Sequence, residues 1–171
     1  MTENEVAKLY ATYGYVVFRR CVVYLGEPSG AQDAVLEVFV RALRSAAAFG
    51  ADADPRAWLC RIADDVCIDL VRRARRNRMQ LETTDEVAGQ PAQSAIELAV
   101  ANDDRAALLS VRRLGLERDP DSFRLAVLYF LDELTQEELA QELGSSRRAI
   151  GKRLQQLLQR ARSLLEAESV S

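Results

Sequence analysis

Two acid-free runs of cations are the parts of this 171-residue chain best equipped to act on another molecule. Arg72 to Arg78 holds five arginines and no carboxylate, and Gly144 to Arg162 holds six cations and no carboxylate. Between them, Gln80 to Ser110 carries six acids against one arginine. The formal charge of −3 rules out a uniformly basic polyanion binder, so any nucleic-acid contact must come from these local concentrations. The chemistry on offer is guanidinium or ammonium against phosphate and, where Arg and Gln share a face, hydrogen bonds to base edges.

Other chemistries find little support. There is no His in the chain, no glycine loop of the phosphate-cradling kind, and no nucleophile with an evident base. Asp64 and Asp65 are adjacent on a helix and diverge by about 100°, so they do not converge on one reacting atom or metal ion. Cys21, Cys60 and Cys67 form no CxxC pair, and Cys60 and Cys67 lie about 10 Å apart along one helix, too far for a disulfide. We therefore expect three reduced packing thiols, no metal, no cofactor and no enzyme. The acidic N-terminus Met1-Thr2-Glu3-Asn4-Glu5 leads into no apolar run of membrane-spanning length, so a cytoplasmic protein with no membrane partner is expected.

The elements that must position the cations are helical. Ala, Leu and Arg are the commonest residues and aromatics make up only 6%, which favours an all-α fold over a sheet. Thr2 with Glu5 forms a capping box before Val6, Tyr10, Tyr13 and Val17, and Gly26 and Pro28 end that run. Ser29 with Gln32 reads as a second box, ahead of a buried stripe of Val35, Val38, Phe39, Ala42 and Leu43. Asp54-Pro55 opens a long third helix with Leu59, Ala63, Val66 and Leu70 on one side. On a helical wheel, Arg61, Asp64, Asp65, Arg72, Arg75 and Arg76 share the opposite face.

Periodicity fades from about Met79 to Gln93, which predicts a flexible linker over 80–93 between small helical domains at 1–79 and 94–171. Ser94 with Glu97 restarts a helix toward Gly115, Asp119-Pro120 opens another with Phe123, Val127, Phe130 and Leu131, and Thr135 with Glu138 caps a short one. Gly144 ends that short helix and Ser146 caps the next, whose stripe is Ile150, Leu154, Leu157, Leu158, Ala161 and Leu165. Two helices joined at a tight turn, with small Ala140 at the crossing, are the signature of a helix-turn-helix. Arg148, Lys152, Gln155 and Gln159 then project away from Ile150, with Arg147 near the helix start, where they can meet phosphates or base edges.

At this point the chain resembles the extracytoplasmic-function sigma factors of bacterial RNA polymerase, over nearly its whole length. The first domain carries the resemblance in Asp33-Ala34-Val35-Leu36-Glu37-Val38-Phe39-Val40-Arg41-Ala42-Leu43 and Pro55-Arg56-Ala57-Trp58-Leu59-Cys60-Arg61-Ile62-Ala63, continuing into Ile68-Asp69-Leu70 and the arginine run. The second carries it in Leu134-Thr135-Gln136-Glu137-Glu138-Leu139-Ala140-Gln141-Glu142-Leu143-Gly144 and the helix through Arg153-Leu154.

The resemblance implies a sigma factor that binds core RNA polymerase and directs promoter-specific initiation, with many relatives held by an anti-sigma factor. It implies that the second helix docks on the clamp helices of the largest polymerase subunit through Asp33, Glu37 and Arg41, anchored by Phe39. The third helix and the preceding loop, Phe49 to Asp54, would hold the upstream promoter element as a base turns outward, with Arg61, Arg72, Arg73, Arg75 and Arg76 on phosphates. Arg147, Arg148, Lys152, Arg153 and Gln155 would serve the second element. Trp58, beside the apolar stripe, reads as a core residue rather than a melting wedge.

The chain departs from the family at three places. Asp64-Asp65 stands where Arg-Asn is common, and two carboxylates on a DNA face repel phosphate. Leu36 replaces a common Gln, and Ala149, Gly151 and Lys152 replace the usual Thr, Lys and Ser. The acidic pair motivates one rival reading, a sigma-like competitor that binds polymerase but opens promoters badly. A second rival is a stand-alone helix-turn-helix repressor, which would dimerise to read paired half-sites.

Overall fold

In the computed structural model the described residues are 2–50, 52–81, 112 and 119–169. Every regular element among them is helical. The chain divides into two compact units, Met1–Ala99 and Val100–Ser171. The linker assigned to 80–93 falls outside the described residues from 82 onward, as does most of the helix expected from Ser94 to Gly115.

In the first unit, α1 (Glu3–Leu25) starts at the expected capping box. The Glu5 amide donates to Thr2 Oγ1 at 3.3 Å and the Thr2 amide donates to the Glu5 carboxylate at 2.6 Å. It stops at Gly26, whose φ of 78° is the left-handed conformation that lets the Gly26 amide close onto the Val22 carbonyl. The second helix, α2 (Pro28–Arg44), begins two residues earlier than the Ser29–Gln32 pattern predicts. Pro28 supplies a ready-made first helical residue after Glu27, so Ser29 lies inside the helix and caps nothing.

A single turn of 3-10 helix, Ala46–Ala48, leads to the loop before α3 (Pro55–Leu81). Asp54 caps α3 as expected, its two carboxylate oxygens accepting from the amides of Arg56 and Ala57. α3 runs on through Met79, Gln80 and Leu81, past the point where apolar periodicity fades.

The three helices pack on one another around Val17, Cys21, Val23, Tyr24, Ala31, Ala34, Val38, Ala42, Leu59, Ala63, Val66 and Cys67, all essentially without solvent exposure. Alanines on α2 and α3 let the backbones approach closely. Leu43, expected in this core, is 38% exposed at its rim.

In the second unit, α4 (Pro120–Phe130) is capped by Asp119, α5 (Gln136–Glu142) by Thr135, and α6 (Arg147–Ser169) by Ser146. Gly144 turns the chain between α5 and α6 with φ 58°. Leu125 and Leu128 of α4, Leu139 of α5, and Ile150 and Leu154 of α6 form one buried cluster, edged by Tyr129, Leu134, Ala140 and Leu143. Complete burial of Leu139 and Ile150 contributes about 1.5–3 kcal/mol each, enough to fix the angle of the short α5 against α6.

Candidate polymerase and nucleic-acid interface

α3 has two regimes. From Leu59 to Val71 one side is buried against α1 and α2, whereas from Arg72 to Leu81 every residue is exposed. Those last ten residues form an arm about 15 Å long. Arg72, Arg73, Arg75 and Arg76 are all exposed on it, joined by Arg78, and Arg61 is exposed three turns earlier. The arm brings together four of the five arginines proposed for the upstream element.

Asp64 does not share that face, contrary to the wheel. It is 1% exposed and paired with Arg20 of α1, itself 2% exposed. Arg20 Nε donates to Asp64 Oδ1 at 2.6 Å and Arg20 Nη2 to Asp64 Oδ2 at 2.9 Å, a bidentate fork. Tyr24 lies beside the pair, its phenol pushed well up by burial and then by the Asp64 carboxylate. A single-helix wheel cannot register a cation from another helix. The signal available was Arg20 itself, flanked by the apolar runs Val16-Val17-Phe18 and Cys21-Val22-Val23-Tyr24. Asp65 remains exposed.

On α2, Asp33 is exposed, while Arg41 is engaged at both ends. Its Nε donates to Glu37 Oε1 at 2.9 Å and its Nη1 to Asp69 Oδ2 of α3 at 3.1 Å. The Glu37 hydrogen bond is the main reason the guanidinium is held above its ordinary pKa. Arg41 thus ties α2 to α3 rather than pointing alone into solvent. Three apolar side chains the sequence reading did not assign to an interface, Leu36, Val40 and Leu43, are 62%, 41% and 38% exposed at i, i+4 and i+7. Phe39 is buried as expected, meeting the exposed Tyr10 edge-on at 5.0 Å.

Trp58 is half-buried and packs on Phe49, with ring centroids 4.6 Å apart, in keeping with a packing role. Beside Phe49 an open cavity of about 410 Å³ is lined by Glu5, Lys8, Leu9 and Ala46. The three cysteines are buried free thiols. The Cys67 thiol is pushed far up, first by its hydrogen bond with Cys21 and then by burial. Among the described residues no cluster of Cys, Asp and Glu could hold a metal ion, and no helix is long and apolar enough to cross a membrane.

On α6, Arg147, Arg148, Lys152, Gln155 and Gln159 are exposed, and Ile150 and Leu154 point into the core. Arg153 is half-buried on the flank rather than on the outward face. Arg147 Nη1 lies 3.6 Å from Glu137 Oε2, an exposed ion pair across the α5–α6 turn. The space above Gly151 is occupied by the Gln136 side chain, whose Oε1 would be 3.3 Å from a Cβ at that position.

Comparison with known proteins follows the same division. The family model for sigma-70 region 2 matches residues 9–77, which contain α2, the core-facing part of α1 and nearly all of α3. The ECF RNA polymerase sigma factor BldN of Streptomyces coelicolor is 34% identical over 156 residues, covering 86% of this chain. The chain spans 55% of that relative's length. The sigma factor RpoE of Bartonella quintana, solved with the anti-sigma factor NepR, shares the fold with a TM-score of 0.65 at 17% identity, covering 95% of this chain and 97% of that one. Residues 9–77 thus match sigma-70 region 2, and the chain is similar over most of its length to an extracytoplasmic-function sigma factor.

Proposed function

We propose that this protein is a non-enzymatic sigma factor that binds core RNA polymerase and directs promoter-specific transcription initiation. The observation that carries the reading is the exposed arginine arm of α3, whose Arg72, Arg73, Arg75 and Arg76 lie within the stretch that matches sigma-70 region 2. Arg72, Arg73, Arg75 and Arg76 of the arm, with Arg61, take the phosphates of the upstream element. The cavity beside Phe49 takes the base that turns outward as the duplex opens. In the second unit, α5 and α6 act as a helix-turn-helix, with Arg147, Arg148, Lys152 and Gln155 toward the second element and Arg153 supporting from the flank.

Polymerase docks on α2. Asp33 and Glu37 supply charge, the exposed stripe of Leu36, Val40 and Leu43 supplies apolar area, and Arg41 holds α2 in register with α3. Two units joined through one chain make the second promoter contact effectively intramolecular, so modest affinities combine. An anti-sigma factor is a further partner on this reading, because the RpoE relative was solved with one.

The competitor reading drew on the two carboxylates at 64 and 65, and the pairing of Asp64 with Arg20 removes one of them from that argument. Run-off transcription with core polymerase on promoters recovered from co-purified DNA tests the proposal. A defined transcript that depends on this protein is expected. Stable association with polymerase without a transcript would favour the competitor, and a dimer that ignores polymerase would favour the repressor.

A further inference from the structure

α6 has a gap in its second turn. Gly151 costs about 1 kcal/mol of helix propensity relative to Ala. Its backbone is ordinary right-handed helix, so no left-handed conformation calls for glycine there. What occupies the missing side chain's place is the carboxamide of Gln136, whose Oε1 would sit 3.3 Å from a Cβ on residue 151. That spacing is tighter than ordinary van der Waals contact, so a Cβ at 151 would shift the amide by a few tenths of an ångström.

Gln136 is the first residue of α5, immediately after Thr135, whose reciprocal capping box with Glu138 fixes the backbone there. Its side chain is exposed. On α6, Gly151 lies about 60° from Arg148 and about 40° from Gln155, both exposed. The amide therefore stands at the edge of the outward face of α6, level with its second turn, although it belongs to the other helix.

We propose that Gln136 is a specificity-determining residue that contacts a base edge in the major groove of promoter DNA. It occupies the place that a residue-151 side chain would otherwise take. This rests on the reading of α5 and α6 as the promoter-reading pair. A carboxamide offers a donor and an acceptor side by side, the arrangement that matches N6 and N7 of adenine. Gly151 serves by keeping the space open. A merely solvated Gln136 would leave base preference unaffected by its removal.

The test uses the full chain bound to core polymerase and selects from duplexes randomised across the second promoter element. Wild type is compared with Gln136→Ala, Gly151→Ala and Lys152→Ala. Gln136→Ala is expected to flatten preference at one base pair by roughly 5- to 100-fold, the range for one bidentate contact. Gly151→Ala, which favours helix and does not threaten the fold, should weaken preference at that same base pair. Lys152→Ala should act elsewhere or lower affinity for all sequences. If Lys152→Ala alters binding while Gln136→Ala leaves the preference unchanged, or lowers affinity equally for every sequence, the role of Gln136 is overturned. If the wild-type complex shows no preference in that element and Lys152→Ala changes nothing, the promoter-reading assignment itself fails, and the inference with it.

Discussion

Arg20 of α1 and Asp64 of α3 form a bidentate ion pair inside the first unit, with Nε–Oδ1 and Nη2–Oδ2 distances of 2.6 and 2.9 Å. The pair converts an apparent defect in the DNA face into a structural lock. Removing one partner strands the other charge without water, which costs about 3–5 kcal/mol, whereas replacing both by apolar residues is often neutral.

Asp64→Ala should therefore lower the melting temperature by at least about 10 °C, given about 4–8 °C per kcal/mol for a unit of this size. Arg20→Met with Asp64→Leu should recover most of that loss. Asp64→Arg with Asp65→Asn, which restores the family's Arg-Asn order, should unfold the first unit by facing two buried cations. Circular dichroism melts decide the matter, and an Asp64→Ala protein melting within about 2 °C of wild type would refute the lock.

This pair also marks where sequence reasoning stops. Caps at Thr2, Asp54, Asp119, Thr135 and Ser146 were legible because a cap is a local exchange between a side chain and amides two or three residues away. Gly26 and Gly144 were legible because positive φ selects glycine. Asp64 was misplaced because its partner is 44 residues away and the wheel of α3 holds no trace of α1. Ser29 was misread because its pattern resembles a cap, while Pro28 had already begun the helix. The exposed stripe of Leu36, Val40 and Leu43 was hidden because Leu43 reads as core on the wheel of α2 alone, and exposure depends on which faces α1 and α3 cover.

The arginine arm predicts a salt signature. Each phosphate neutralised in duplex DNA contributes about 0.9 to the slope of log affinity against log salt, and about 0.7 in single strands. Arg72→Ala with Arg76→Ala should reduce that slope by roughly 1.4 to 1.8 for the polymerase-bound protein on promoter DNA, with no change in melting temperature, since both side chains are exposed. Fluorescence anisotropy across a salt series measures it. An unchanged slope would remove the arm from the DNA interface.

Docking and internal bracing separate on α2. Leu36→Asp and Val40→Asp put a charge on exposed positions, so they should leave the fold intact yet weaken association with core polymerase by at least about ten-fold, roughly 1.4 kcal/mol. Arg41→Ala should instead cost stability, by no more than about 1 kcal/mol because its pairs with Glu37 and Asp69 are partly solvent-screened. Pull-down with core enzyme and thermal melts, read together, distinguish the two classes. Normal polymerase binding by both aspartate variants would take the stripe out of the docking surface.

Acid should loosen α5 at its first turn. The Glu138 carboxylate is held below its ordinary value, chiefly by the Thr135 amide and then by the Thr135 hydroxyl. A carboxyl whose pKa is lower in the folded state adds stability that is fully present above its unfolded value of about 4.3 and is lost as pH falls through the lower folded value. Protection of the Thr135 and Glu138 amides against hydrogen exchange, corrected for intrinsic rates, should accordingly hold at neutral pH and decline on acidification below that unfolded value. Glu138→Gln keeps an acceptor at the same position but cannot titrate, so its protection should be lower at neutral pH and nearly flat across the same range. Because Gln136 stands within this turn, the acid-induced loss should spread to its amide, and a pH-independent protection pattern in the wild-type protein would show that the box does not hold α5 in place.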